Sequence, residues 1–124
     1  MKVIDSVGWI AYLGGGPLAD QYETHLSSYE GVVTPSIVVY EVYKHLLREL
    51  GEEEASLGTA QVTKTRTIPL TNALATASAE ISFRHKLPMA DAIIYATAQA
   101  EDAIVVTSDE HFKGLPGVEF VERI

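Results

Sequence analysis

Ala103-Ile104-Val105-Val106-Thr107-Ser108-Asp109 is a short apolar run that ends abruptly in two hydroxyls and an acid. A run of this length and composition reads as a strand buried on both faces. Met1-Lys2-Val3-Ile4-Asp5 repeats the pattern at the start of the chain. Further short runs at residues 31–34, 67–70 and 118–121 raise the expected strands to five. Helical stretches separate most of them. Residues 6–13 place Val7, Ile10 and Leu13 at threefold spacing, and residues 17–28 restart as helix with Pro17 at the first position. Pro35 and Ser36 open a helix that Gly51 stops after Leu50, and residues 52–64 form another, weakened by Gly58. Thr71 caps a helix over 72–86, Pro88 starts one over 89–101, and residues 109–112 make a single turn. Strands alternating with helices imply an α/β fold whose largely parallel sheet is covered on both faces. In such folds function gathers beyond the carboxyl ends of the strands, where strand order reverses.

The bulk numbers fit that reading. The chain has 124 residues, 47% hydrophobic and 21% charged, which suggests one domain spanning 1–124 with one core. No cysteine is present, so disulfides, thiolate zinc sites and cysteine nucleophiles are excluded. No stretch approaches the roughly 20 apolar residues of a membrane span, and the start of the chain lacks a cleavage pattern. A soluble, cytoplasmic protein is expected. A net charge of −8 argues against holding nucleic acid by an overall basic surface, and it favours a basic partner. Gly14-Gly15-Gly16-Pro17 lacks the Gly-Lys-Ser/Thr of a phosphate loop and turns the chain.

Four acids carry the chemistry. Asp5 and Asp109 end strands, Glu41 lies in the first turns of a helix that follows a strand, and Asp91 lies in the first turn of a later helix. At roughly 6 Å and an effective dielectric near 20, each pair of carboxylates repels by about 3 kcal/mol. Such a cluster needs protons or divalent cations, and Mg²⁺ or Mn²⁺ suits an all-carboxylate shell. Each acid also admits a plainer reading. Asp5 could cap a helix on the amides of Val7 or Gly8, and Asp109 could cap the turn after it. Glu41 borders the arc of Val38, Val39, Val42, Tyr43, Leu46 and Leu50, and could pair with Lys44 or His45. Asp91 suits its helix dipole, yet it shares a face with Ile94, Tyr95 and Ala98, where a carboxylate needs a partner. Ser6, Thr107 and Ser108 are spaced to orient carboxylates or bound water. His25, His45, His85 and His111 show no HExxH spacing and read as surface residues.

Four segments together resemble a PIN domain, and within that family a VapC-type toxin ribonuclease of a prokaryotic toxin–antitoxin pair. They are Val3-Ile4-Asp5-Ser6, Thr34-Pro35-Ser36-Ile37-Val38-Val39-Tyr40-Glu41-Val42, Leu87-Pro88-Met89-Ala90-Asp91-Ala92-Ile93-Ile94-Tyr95-Ala96-Thr97-Ala98, and Val105-Val106-Thr107-Ser108-Asp109-Glu110-His111-Phe112. Two positions depart from the family pattern: Val7 stands where many members have serine or asparagine, and Phe112 where some carry an acid. The resemblance implies a three-layer α/β/α sandwich with strand order 3-2-1-4-5. It implies metal-dependent endonucleolytic hydrolysis of RNA, with the acidic quartet falling on Asp5, Glu41, Asp91 and Asp109. Asp5 and Asp91 would be the first ligands of Mg²⁺ or Mn²⁺, Asp109 a third, and Glu41 a ligand or an orienter of water. Lys44, Arg48, Arg84 and Lys86 are candidate RNA contacts. The resemblance also implies a homodimer held inactive by a cognate antitoxin with a basic segment. Two other classes compete: a PIN-like RNA-binding module without catalysis, and a phosphoacceptor receiver domain. The receiver would need paired acids after the first strand, where this chain has Asp5-Ser6.

Overall fold

In the computed structural model, which describes residues 1–122, the chain alternates short strands with helices. The order is β1 (Lys2–Ile4), α1 (Ser6–Gly14), α2 (Ala19–Leu26), β2 (Val33–Pro35), α3 (Ser36–Leu50), α4 (Glu52–Val62), β3 (Arg66–Ile68), α5 (Asn72–His85), α6 (Met89–Ala100), β4 (Ile104–Thr107) and β5 (Val118–Phe120). A 3-10 turn, Glu110–Phe112, follows β4. The last two residues of the expected domain, 123 and 124, lie outside the described part.

Every strand pairing is parallel. β1 pairs with β4 so that Ile4 faces Val106, β4 pairs with β5, and β2 pairs with β3. One parallel bridge, Lys2 to Val32, joins the two groups, with the Lys2 amide donating to the Gly31 carbonyl at 2.9 Å. The sheet therefore runs β3-β2-β1-β4-β5, and the expected α/β architecture is present. A receiver domain places its first strand between the second and third. Here β1 lies between β2 and β4, so the receiver reading fails on topology.

The neighbouring residues Val3 and Ile4 are both fully buried, as are Val105 and Val106. Because successive strand side chains point to opposite faces, both faces of the central strands are covered. α6 packs on β1, β2 and β4, and its residues 91–98 are all buried. α3 packs on α4, and α5 on α6. Trp9, Tyr22 and Phe112 are the largest fully buried side chains.

Local signals explain most boundaries. Gly51 takes φ 97° and its amide donates to the carbonyls of Leu46 and Leu47, which ends α3. The Thr71 hydroxyl accepts from the Leu74 amide and caps α5. Gly58 is a packing residue rather than a weakness: a Cβ there would overlap the Leu46 side chain where α4 crosses α3. Several details differ from the expectations above, among them β2, which covers Val33–Pro35 and not 31–34, and β3, which covers Arg66–Ile68 and not 67–70. α2 starts at Ala19, not Pro17, which stays in the preceding turn. α4 ends at Val62, short of Lys64. Leu50 is 59% exposed, because the last turn of α3 runs past the core that its apolar arc would have met. Among the described residues no helix is long and apolar enough to cross a membrane.

Candidate functional site

The pairing of β1 with β4 brings two strand ends together, and the first acid is built there. The Asp5 amide donates to the Val106 carbonyl at 3.1 Å, which locks residue 5 beside the end of β4. Its carboxylate is held from both sides. Oδ1 accepts from the Ser6 amide at 2.7 Å, and Oδ2 accepts from the Thr107 hydroxyl at 2.8 Å. The cap therefore uses the Ser6 amide, not those of Val7 or Gly8; Gly8 and Trp9 donate instead to the Asp5 carbonyl. The Thr107 hydroxyl also accepts from the Asp109 amide at 2.9 Å, so one side chain ties the ends of both strands.

Asp109 caps the 3-10 turn by accepting from the His111 amide at 3.0 Å. Phe112, fully buried, anchors that turn, and the turn aims the His111 ring back over the site. His111 Nδ1 lies 2.9 Å from Asp91 Oδ2 and 3.3 Å from Asp109 Oδ1. Asp91 comes from the first turn of α6, and its side chain is only 12% exposed. Asp91, Asp109 and His111 each offer one donor atom within 4.8 Å of the others, a compact group able to hold a metal ion. Asp5 and Glu41 are not part of that group.

The electrostatics link all four acids. Burial pushes the Asp5 carboxyl up to about 7; the Thr107 and Ser6 hydrogen bonds oppose the rise, and the charges of Asp91 and Glu41 add to it. Burial also raises Glu41, opposed by the nearby Ser6 hydroxyl and reinforced by Asp91 and Asp109. Asp91 is raised by burial and by Asp109, and His111 works the other way. The His111 imidazole is raised in turn, chiefly by its hydrogen bond to Asp91 and by the charge of Asp109. Glu41 adds a telling detail: its Oε1 is buried and, among the described residues, has no hydrogen-bond partner. A buried carboxylate oxygen without a partner is costly, and a cation would remove the cost.

Residues 2–118 match the PIN domain family. The chain belongs to that family. Solved structures of low sequence identity share the PIN architecture seen here. A toxin–antitoxin complex from Klebsiella pneumoniae has a TM-score of 0.82 at 23% identity, covering 100% of both chains. VapC20 of Mycobacterium tuberculosis, a sarcin-ricin loop cleaving toxin, has a TM-score of 0.82 at 21% identity, covering 98% of this chain and 100% of its own. VapBC2 from Rickettsia felis, bound to a DNA fragment from its promoter, has a TM-score of 0.76 at 18% identity, covering 97% and 96%. At such identities the likeness is one of fold. No curated protein matches the sequence.

Of the four expected acids, Asp91 and Asp109 fall in one compact group with His111, and Asp5 and Glu41 are coupled to them through charge. Ser6 and Thr107 do contact Asp5. Ser108 does not serve a carboxylate in this arrangement: its hydroxyl accepts from Tyr22 at 2.9 Å and braces β4 against α2. Glu41 pairs with neither Lys44 nor His45. Lys44 Nζ sits 3.4 Å from the Tyr40 hydroxyl, and His45 Nδ1 sits 3.3 Å from Arg48. Lys44 and Arg48 nonetheless line an open groove of about 270 Å³ with Ser6, Ile10, Glu41 and His45. Arg84 and Lys86 do not border it. Arg84 is engaged with Glu80 at 2.8 Å, and Lys86 closes α5 in the left-handed conformation, φ 54°. The residue missed by sequence reasoning is His111. Its signal was the spacing Asp109-x-His111, which a search for paired histidines overlooks.

Proposed function

We propose that this PIN domain is a metal-dependent endoribonuclease that hydrolyses RNA phosphodiester bonds, and that it is the toxin of a VapBC-type toxin–antitoxin pair. The observation that carries the reading is that Asp5, Glu41, Asp91 and Asp109, from four separate segments, act on one another through charge, while a buried Glu41 oxygen has no hydrogen-bond partner among the described residues. Membership of the PIN family and the toxins among proteins of the same fold support it.

The donor set fits Mg²⁺ or Mn²⁺, with Asp91, Asp109, Glu41 and Asp5 as the holding residues. When bound, such an ion supplies Lewis-acid polarisation of the scissile phosphate and makes a water acidic enough to attack. The chain's own residues do the rest. Thr107 and the Ser6 amide keep Asp5 in one orientation. Glu41 orients the attacking water. Lys44 and Arg48, in the groove beside Glu41, bind RNA phosphates and set the strand's direction across the site. The −8 net charge suits an antitoxin with a basic segment that closes the same acidic cleft. The protein works in the cytoplasm as a homodimer. Exposed Leu70 and Met89, which line one apolar hollow with Ala75, Ala79 and Ile93, support a self-association face.

Cleavage of an RNA substrate with Mg²⁺ or Mn²⁺ tests the reading. Wild type should cleave, and Asp91→Asn and Asp5→Asn should not. Inert wild type with both ions would leave a binding module without catalysis, and equal cleavage by the variants would remove these acids from the reaction.

A further inference from the structure

The geometry points to His111 as a nitrogen ligand in the divalent-cation site, one that biases the site toward Mn²⁺ over Mg²⁺. This rests on the metal-dependent reading above and adds a donor and a selectivity to it.

Three observations carry the inference. First, adjacent ligands of an octahedral ion with bonds near 2.1 Å lie roughly 3.0 Å apart. His111 Nδ1 is 2.9 Å from Asp91 Oδ2 and 3.3 Å from Asp109 Oδ1, so the nitrogen is spaced from each carboxylate as a neighbour on one ion, and donor atoms of all three residues lie within 4.8 Å of one another. Second, the imidazole is placed by the backbone. Asp109 accepts from the His111 amide at 3.0 Å, and buried Phe112 pins the next residue, so the ring reaches the carboxylates from a fixed turn. Third, the ring has room to adjust: its side chain is 58% exposed, and among the described residues Nδ1 meets only these two acids.

Such a donor set is unusual for Mg²⁺. That ion prefers oxygen ligands and releases water reluctantly. Imidazole suits first-row transition metals, and Mn²⁺ accepts octahedral mixtures of carboxylate and nitrogen. His111 and Asp91, hydrogen-bonded at 2.9 Å, are then two groups that would share an ion. The competing role is simpler: His111 could only orient Asp91 through that hydrogen bond, in which case both ions would feel its loss alike.

Mn²⁺ itself is the probe. Pulsed electron paramagnetic resonance on the Mn²⁺-loaded protein should show ¹⁴N modulation that His111→Gln abolishes. Titration of the free Mn²⁺ signal, with Mg²⁺ as competitor, should show a Mn²⁺ affinity that falls about tenfold or more in the variant while Mg²⁺ affinity falls much less. Bound Mn²⁺ without nitrogen modulation in wild type overturns the inference and leaves the nuclease reading standing. Equal loss of affinity for both ions reduces His111 to a positioning residue and also overturns it. If neither ion binds wild type, the metal-dependent reading fails with it.

Discussion

Asp5 and Asp109 end neighbouring strands, each preceded by an apolar run, yet the two ends of the site are built differently. Asp5 is 1% exposed, and both of its oxygens accept hydrogen bonds inside the protein. Asp109 sits on a 3-10 turn at the surface, its side chain 24% exposed, with His111 leaning over it. The first end is rigid and already satisfied. The second is open, and its donors have each other and solvent. The difference is one of exposure: the covered acid is held by its own neighbours, and the open acid faces solvent beside His111.

The largest test of that difference is metal binding. Asp91→Asn removes a member of the compact group and should weaken Mn²⁺ binding by about 100-fold, whereas Asp5→Asn should weaken it by about tenfold, measured by titration. Equal losses would break the distinction between the two ends.

Stability against pH sharpens it next. The folded Asp5 carboxyl titrates near 7 instead of 3.8, so ionisation disfavours the folded state. Stability from this group is complete below about pH 4 and is lost as pH rises through about 7. With chelator present, raising the pH from 4 to 8 should cost wild type up to about 4 kcal/mol that Asp5→Asn does not lose, read by urea unfolding. Added Mn²⁺ should reduce the difference.

Thr107→Val tests the tie between the ends. It removes the donor to Asp5 and the acceptor for the Asp109 amide, and should cost about 1–3 kcal/mol. Without that donor Asp5 is harder to ionise, so the pH-dependent loss should extend to higher pH in the same unfolding series. The smallest effect belongs to the surface. Arg84→Ala breaks only the Glu80 pair and should change stability by about 0.5 kcal/mol or less, with RNA cleavage unaltered. Lys44→Ala with Arg48→Ala should instead raise KM for RNA, since both line the groove beside Glu41.

Legibility in the sequence followed the range of the physics. Gly51, Thr71 and Pro88 act on their own neighbours, so helix ends were readable to within a residue or two. Pro17 misled because two positions before α2 tolerate proline as well as the first helical position does. The spacing of Ser108 suits a carboxylate or bound water, but its hydroxyl accepts from Tyr22, 86 residues away in sequence. Leu50 completed an apolar arc that the core does not extend to meet.

From sequence alone came the α/β alternation, the resemblance to a PIN domain, and four acids placed where strand ends and helix starts would meet. Those follow from period, caps and breakers, which are local. Only the tertiary structure decided that Asp5 is sealed between Ser6 and Thr107, that a Glu41 oxygen is buried without a partner among the described residues, and that His111 joins Asp91 and Asp109. Burial and partnership at a strand end depend on which segments pack over it, and that is set by contacts between residues far apart in the chain.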